Sequence, residues 1–158
     1  MLPGPKLIKK CSSCSKPIKQ STIASGNTFG ATYWTDGKCE APMFPDLPRL
    51  VICPHCDAPL WLSELEQIGE IDNYFRSRRK GDSDMLDNAE DYQQPSLENY
   101  FAALEKCAET PKKERYIRLR AWWTGNDVRR NKKIEMSALE KSNLTALAKI
   151  LDESNAAD

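Results

Sequence analysis

The 158-residue sequence has a single histidine, no long apolar run and no net charge. With His55 alone, it offers little material for the histidine-based triads of hydrolases. No apolar stretch approaches the roughly 18 residues that a membrane helix needs. The N-terminal stretch MLPGPKLIKKC carries lysines but lacks the apolar core of a secretory signal peptide. Phosphate-binding glycine loops, dinucleotide fingerprints and nucleophile elbows are also missing. We therefore expect a cytoplasmic protein without membrane contact.

Cysteine is well represented, with six residues. In a reducing compartment, this number favours metal or redox chemistry over a disulfide framework. Four of the six form two Cys-x2-Cys pairs separated by 38 residues. A tight turn at each pair aims both sulfurs at one point, and two turns supply four thiolates at tetrahedral angles, each about 2.3 Å from zinc. We predict one structural Zn²⁺ bound by Cys11, Cys14, Cys53 and Cys56. The net negative charge of this zinc–thiolate centre is expected to be offset by Lys9, Lys10, Lys16 and turn amides.

The gap between the two pairs exceeds the roughly 15–20 residues that are typical of such sites. We therefore expect an insertion between them. The alternative chemistry is a thiol–disulfide oxidoreductase at the CPHC motif, with Cys53 and Cys56 as the redox pair. Pro59 interrupts any helix that begins at Cys53, and this alternative leaves the first cysteine pair unexplained. Zinc is the favoured interpretation.

The other candidate site residues have simpler structural interpretations. His55 lies between two cysteines of one turn, where a side chain points away from the metal, so we expect an outward-facing residue rather than a ligand. Cys39 and Cys107 can act as a fifth ligand or a reactive thiol. A small buried apolar residue is the commoner role of a free cysteine, and we favour it for both.

Residues 1–69 are predicted to form a small β-module, because eight of the ten prolines fall in residues 1–60. Strands are indicated at residues 28–34 and 49–53, and Asp-Gly at residues 36–37 predicts a hairpin turn. Ser63 and Glu66 form a capping box, which predicts a helix that ends at Gly69 or continues through Ile71 and Phe75. Core candidates are Ile8, Ile18, Ile23, Phe29, Trp34, Phe44, Leu50, Ile52, Trp61, Leu62 and Leu65.

Residues 70–95 are predicted to be an acidic, mobile linker, and residues 96–158 a helical domain. Ser96 caps the first predicted helix, and Thr110 with Pro111 begins the second, which Gly125 ends. A third helix lies within residues 137–152. The predicted apolar faces comprise Leu97, Phe101, Leu104 and Ala108 in the first helix and Leu144, Leu147, Ala148 and Leu151 in the third. The expected fold class is α+β, a small β zinc ribbon followed by a C-terminal bundle of short α-helices, and further helical repeats in a longer chain stay open.

Charge is distributed in blocks, with a net −7 over residues 61–110 and a net +7 over residues 111–133. The basic block includes Trp122 and Trp123, so it can bind nucleic acid through phosphate contacts and base stacking. Alternatively, the tryptophans are core residues and the basic face pairs with the acidic block, which we favour. The basic run RSRRK at residues 76–80 has the same two interpretations. Contacts to nucleic acid or to a partner are expected from Lys112, Lys113, Arg115, Arg118, Arg120, Arg129 and Arg130.

The four cysteines resemble those of the zinc-ribbon superfamily. More narrowly, the segment TYWTDGKCEAPMFPDLPRLVICPHCDAPLWL and the later RLRAWWTGND resemble uncharacterised bacterial proteins in which a zinc ribbon precedes a helical, repeat-like tail. The resemblance implies a metal-binding role for the four cysteines and no settled activity.

We expect a protein–protein adaptor without catalysis, whose helical part presents a groove and whose ribbon fixes orientation. The partner is an unknown protein. Nucleic-acid binding through residues 111–133 and redox activity at CPHC are the two alternatives.

Overall fold

A computed structural model describes residues 1–71 and 88–155 of the chain. Within them the fold is mixed α+β, with several small sheets and three helices. The chain divides into two compact units, Met1–Gln94 and Pro95–Asp158. The first contains the strands and the second the helices, and each is described by itself below.

A four-stranded sheet organises the N-terminal unit. Its strands lie in the order β10 (Glu90–Asp91), β3 (Pro17–Gln20), β2 (Lys6–Lys10) and β9 (Gln67–Ile71). β2 is antiparallel to both of its neighbours, whereas β10 is parallel to β3. Ile8 in β2 and Ile18 in β3 are fully buried. The first cysteine pair therefore begins at the end of β2, which is an inner strand of this sheet rather than an edge strand.

Three two-stranded sheets complete this unit. β1 (Leu2–Pro3) pairs with β4 (Ile23–Ser25), β5 (Thr32–Tyr33) with β6 (Cys39–Glu40), and β7 (Leu50–Ile52) with β8 (Pro59–Trp61), all antiparallel. The predicted Asp-Gly hairpin is confirmed between β5 and β6. There Gly37 adopts a φ of 79°, the left-handed conformation that this turn requires. The predicted strand at residues 49–53 is confirmed as β7.

The core of the unit lies between the two cysteine pairs. It consists of Cys11, Ile18, Val51, Cys53, Leu60, Leu62 and Leu65. Seven of the predicted core residues are buried, whereas Phe29, Trp34 and Phe44 are exposed and Ile23 is half-buried. The prediction was wrong for the three aromatic residues because they belong to the insertion between the pairs, which the small core does not reach.

The helix predicted from the capping box at Ser63 is wrong. Residues Leu62–Glu64 form one short 3-10 turn, and β9 follows. Leu62 and Leu65 enter the core, and the amide of Lys10 donates a 2.9 Å hydrogen bond to the carbonyl of Glu66. Pairing with β2 thus satisfies the backbone groups that a helix would have used, and this outweighs the local capping signal.

The predicted linker, residues 70–95, begins and ends in structured chain. Its first two residues belong to β9, and Glu90–Asp91 form β10. Gln93 then exchanges two backbone hydrogen bonds with Ile52, of 2.9 and 3.0 Å. Residues 72–87 lie outside the described residues, as do the basic run 76–80 and the proposed helix position of Phe75.

The second unit contains α1 (Leu97–Cys107), α2 (Pro111–Asn131) and α3 (Ala138–Asn155). The predicted caps are confirmed: the Ser96 hydroxyl accepts from the amide of Asn99, and the Thr110 hydroxyl accepts from the amide of Lys113. α2 packs against both α1 and α3. Among the described residues, no helix is long and apolar enough to cross a membrane.

The buried faces of the helices differ from the predicted ones. In α1 the buried residues are Tyr100, Ala103 and Cys107, one position away from the predicted stripe. In α3 they are Glu140, Asn143 and Leu147, while Ala148 is exposed. A search for apolar residues misses this face because two of its members are polar and are buried through hydrogen bonds to α2.

α2 continues through Gly125, so the predicted helix end there is wrong. Gly125 is buried, and a Cβ atom at this position would overlap the carboxylate of Glu140. Glu140 in turn binds Arg129 at 2.5 Å. The glycine makes room for this ion pair rather than terminating the helix.

Candidate metal centre

The first cysteine pair occupies the turn between β2 and β3. The amide of Cys11 donates to the carbonyl of Lys16 at 3.0 Å, which closes the hairpin, and the amide of Ser15 donates to the carbonyl of Cys11 at 2.9 Å. Ser15 adopts a φ of 61°, in the left-handed region. This turn reverses the chain directly after Cys14, so both sulfurs lie on the same side of the hairpin.

The second pair repeats this geometry between β7 and β8. The amide of Cys53 donates to the carbonyl of Ala58 at 2.9 Å, and the amide of Asp57 donates to the carbonyl of Cys53 at 3.0 Å. Asp57, with a φ of 56°, holds the position that Ser15 holds in the first turn. Short polar residues tolerate this conformation better than most. We call the two turns, Cys11–Lys16 and Cys53–Ala58, the cysteine knuckles.

The four sulfur atoms of the knuckles converge on one point. The metal-binding atoms of Cys11, Cys14, Cys53 and Cys56 all lie within 4.8 Å of one another. Across the knuckles, Sγ of Cys11 is 3.9 Å from Sγ of Cys56, and Sγ of Cys14 is 3.8 Å from Sγ of Cys53. A tetrahedron with metal–sulfur bonds of about 2.3 Å has edges of about 3.8 Å. A disulfide would need sulfurs about 2.0 Å apart, and all six cysteines, which lie in the described residues, are free. The arrangement can therefore hold a metal ion.

Backbone amides point at the Cys11 sulfur from within its own knuckle. The amides of Ser13 and Cys14 lie 3.4 and 3.5 Å from Sγ of Cys11. Burial raises the pKa of Cys11, but these amides, together with hydrogen bonds from the thiols of Cys53 and Cys14, outweigh burial by stabilising the thiolate, and the pKa falls to about 7. The fold is thus prepared to carry at least one thiolate at this position.

In the second knuckle, the thiolate forms of both cysteines are disfavoured. Burial raises the pKa of Cys53 to about 12, and the neighbouring Cys11 thiol adds to the effect. The amide of Ala58 lowers the pKa of Cys56, but burial and the thiols of Cys14 and Cys11 outweigh it and raise the pKa overall. Four adjacent thiolates repel one another unless a cation lies between them, and a bound divalent metal deprotonates its thiol ligands outright. The donor set therefore fits a soft divalent cation.

The lysines that were expected to offset the charge of the metal centre interact elsewhere. Nζ of Lys9 donates to the carbonyl of Leu65 at 3.4 Å, and Lys10 pairs with Glu66 at 3.8 Å, while Lys16 is exposed. Lys9 and Lys10 therefore support the contact between β2 and the chain before β9. The amides of the knuckles, rather than these lysines, are the groups that face the sulfurs.

His55 points away from the metal-binding point, as predicted, but it is not an outward-facing residue. Its side chain is only 9% exposed. Nε2 donates to the carbonyl of Pro17 at 3.1 Å, and Nδ1 lies 3.7 Å from Oε1 of Glu90. His55 therefore connects the second knuckle to β3 and β10. The sequence contains no local signal for this contact, because its partners are 38 and 35 positions away.

The other two cysteines do not join the cluster. Cys39 is half-buried in β6 and Cys107 is buried at the end of α1. The preference for a small buried residue thus agrees with the structure for Cys107, whereas Cys39 keeps part of its surface in solvent.

The basic segment of residues 111–133 forms most of α2, and several of its members have partners within the helical unit. The ion pairs are Lys113–Glu109, Arg118–Glu114, Arg130–Asp127 and Arg129–Glu140. Among these four acids, Glu109 belongs to the acidic block 61–110, and the other three lie on α2 and α3. Arg118 also donates to the side-chain oxygen of Asn143 on α3 at 3.2 Å.

The remaining predicted contact residues are arranged differently. Arg120 lies over two aromatic rings, 5.7 Å from the centroid of Tyr116 and 5.7 Å from that of Trp123. Lys112 and Arg115 are exposed, and Trp122 and Trp123 are both half-buried. The tryptophans are therefore only partly core residues.

Comparisons of the chain with protein families, with curated proteins and with solved structures found no match.

Proposed function

We propose that the four cysteines bind one structural Zn²⁺ in a zinc ribbon, and that the insertion between the knuckles is a docking surface for another protein, without catalysis. The observation that carries the proposal is the concentration of exposed aromatic and methionine side chains on this insertion. The metal centre supplies the rigid base from which these side chains project.

Zinc is supported by the donor set and its geometry. Four cysteine sulfurs at the vertices of a tetrahedron are typical of closed, structural zinc sites, which leave no open position for a substrate. A redox role at CPHC has less support. Cys53, the residue that would attack a disulfide, is completely buried, and the chain after Cys56 turns back into β8 instead of beginning a helix.

The most exposed apolar side chain of the insertion is held on a rigid turn. Phe29 is 87% exposed. Its amide donates to the side-chain oxygen of Asn27 at 3.0 Å, and the amide of Ala31 closes the turn on the carbonyl of Thr28 at 3.0 Å. Gly30, with a φ of 75°, permits this geometry. These hydrogen bonds order the backbone that carries the exposed ring, which lowers the entropic cost of binding a partner.

Other members of the insertion extend the apolar surface. Tyr33 is 70% exposed on β5, and Met43 and Phe44 are exposed after β6. The N-terminal ammonium of Met1 lies 3.9 Å from the Met43 sulfur, so the exposed N-terminus adjoins this part of the insertion. We call Phe29, Tyr33, Trp34, Met43 and Phe44 the insertion surface. Exposed apolar groups concentrated in one short segment indicate an interaction site rather than chance exposure.

The charge of the insertion is balanced. Its acidic residues are Asp36, Glu40 and Asp46, and its basic residues are Lys19, Lys38 and Arg49; Lys38 pairs with Glu40 at 2.6 Å. We therefore expect a partner that offers an apolar patch to the exposed aromatic side chains. We had expected the docking groove on the helical part, but the largest exposed apolar side chains lie on the insertion.

The test compares partner capture by three versions of the full chain, through cross-linking and mass spectrometry in an extract of the source cells. In Phe29→Ser/Tyr33→Ser, we expect loss of a specific protein that the unmodified chain captures. The matched control is Val128→Ser/Leu139→Ser, which removes two exposed apolar residues of the helical unit. The captured protein is then purified and titrated against all three versions. An unchanged affinity of the insertion variant would contradict the proposed docking surface.

A further inference from the structure

Some basic residues on helix α2 and directly after it form no ion pair with any residue that the structure describes. Four of the seven lysines and arginines of α2 form the ion pairs described above, and Arg120 lies over aromatic rings. Lys112 and Arg115 are exposed near the start of the helix, and Lys132 and Lys133 are exposed directly after its end. Within residues 1–71 and 88–155, these four side chains form no ion pair. The surplus is therefore available to an external anion.

The most deeply buried residues of α2 define the side of the helix that packs. Ile117 and Ala121 are buried, and Gly125 faces Glu140 of α3. At about 100° per residue, Lys112 and Trp123 lie about 160–180° around the helix from Ala121. Lys112 is thus on the side opposite to the one that packs, and Arg115 lies about 120° around the helix from Ala121.

An aromatic and guanidinium stack occupies the same side. Tyr116, Arg120 and Trp123 follow one another at helical spacing, with the guanidinium 5.7 Å from each ring centroid. All three side chains are half-buried and keep part of their surface in solvent. Cation–π contact holds the Arg120 side chain in place along the helix, where it can meet an anion with little further ordering.

We infer that this side of α2 binds single-stranded nucleic acid, with phosphates on the exposed lysines and arginines and a base stacked on the exposed part of Tyr116 or Trp123. We call Lys112, Arg115, Tyr116, Arg120 and Trp123 the outer face of α2. An acidic protein would meet the same positive charge, but it would not use aromatic rings interleaved with arginine, which is the pattern that stacks bases. The inference concerns a second site, and it does not depend on the insertion surface or on the metal.

Salt dependence measures the number of phosphates that the face neutralises. With the three cations of the outer face, the slope of log K against log salt is expected to be about −2 for a single strand. Affinity for a fluorescein-labelled oligothymidylate, followed by anisotropy with the full chain, should then fall about 18-fold between 50 and 200 mM salt. Absence of binding at the lowest salt would overturn the inference.

Two matched double variants locate the site. Lys112→Gln/Arg115→Gln should reduce the salt slope to about a third and the loss of affinity over the same salt range to about threefold. Lys141→Gln/Lys149→Gln removes the same charge from exposed positions of α3 and should leave the slope unchanged. All four positions are exposed, so both variants should keep the helical content of the unmodified chain in circular dichroism. Equal effects of the two variants would show non-specific attraction and would overturn the inference.

Competition separates nucleic acid from other polyanions. Unlabelled oligothymidylate should displace the probe more effectively, per charge, than polyphosphate or polyglutamate. Arg120→Lys keeps the charge but loses the planar stacking group, and it should weaken oligothymidylate binding while leaving polyphosphate competition unchanged. Polyglutamate that competes as well as the oligonucleotide would identify an acidic protein as the partner and would overturn the inference.

Discussion

Metal removal is expected to unfold the N-terminal unit and to leave the helical unit folded. Both short sulfur–sulfur distances, 3.8 and 3.9 Å, join cysteines of different knuckles. A metal ion bound by these sulfurs would therefore connect two hairpins that are far apart in sequence. Cys11 and Cys53 are also members of the core itself, together with Val51 and Leu60. Loss of the cation would leave the negative charge of these buried thiolates without a neighbouring positive charge.

The expected magnitude exceeds what the rest of the unit can supply. Apparent binding of structural zinc by small zinc modules contributes about 10–16 kcal/mol at neutral pH. The total stability of an ordinary domain is about 5–15 kcal/mol, and units with a small core lie at the low end. Because the packed cluster around the sulfurs contains seven buried residues, two of which are the cysteines Cys11 and Cys53, we expect the metal-free unit to be unfolded.

Nuclear magnetic resonance of the full chain can follow both units at once. A chelator should collapse the dispersed amide signals of the strands in Met1–Gln94 while the helical signals of α1 to α3 persist, and added zinc should restore them. Elemental analysis before chelation should give one zinc per chain. Cys14→Ser should reproduce the collapse, whereas Cys39→Ser, which makes the same change outside the cluster, should have no effect on the fold. Retention of the dispersed strand signals after complete metal removal would refute the structural role of the ion.

Two further predictions concern the buried carboxylate of Glu140, which is 8% exposed. Burial raises its pKa, but hydrogen bonds from Arg129 and Ser137 outweigh burial, so the folded pKa lies below the ordinary value. A depressed pKa stabilises the fold above the unfolded pKa of about 4.3, and this stabilisation is lost as pH falls through the folded pKa. In urea unfolding of the helices, Glu140→Gln should therefore lower the free energy of unfolding by about 1–3 kcal/mol near pH 7 and by much less near pH 3. An equal decrease at both pH values would contradict this reasoning. Gly125→Ala should raise the free energy of unfolding by about 1 kcal/mol, through helix propensity, only in a Glu140→Ala background. In the unmodified chain the added Cβ would overlap the Glu140 carboxylate. A double-mutant cycle without coupling between the two positions would exclude this explanation for the glycine.

The parts of the fold that sequence reasoning predicted are those with short-range causes. The caps at Ser96 and Thr110 depend on hydrogen bonds to residues three positions away, and the Asp-Gly turn depends on the conformation of Gly37. The cysteine spacing also specifies each knuckle locally. The convergence of the two knuckles was predicted from chemistry rather than from pattern, because four thiolates of this spacing have one common use.

The parts that were missed depend on distant partners. Nothing near His55 indicates its hydrogen bond to the Pro17 carbonyl. In α3, Glu140 and Asn143 are buried because Arg129 and the Arg118 backbone satisfy them, at 2.5 and 3.0 Å. A polar residue is expected to be exposed unless a partner satisfies it. Here the partner lies on another helix, so the sequence around the residue does not reveal its burial.

The clearest conflict between local and distant forces lies after the second knuckle. Ser63 and Glu66 carry a valid helix-start signal, which is worth about 1 kcal/mol. A helix there would take away the strand that pairs with Lys6–Lys10, the strand that ends at the first knuckle. It would also turn Leu65 away from the core that surrounds the sulfurs. Strand pairing with β2 and burial of Leu65 together outweigh the weaker capping signal. Where a metal joins distant hairpins, we therefore expect the elements next to its ligands to follow the geometry of the metal rather than local propensity.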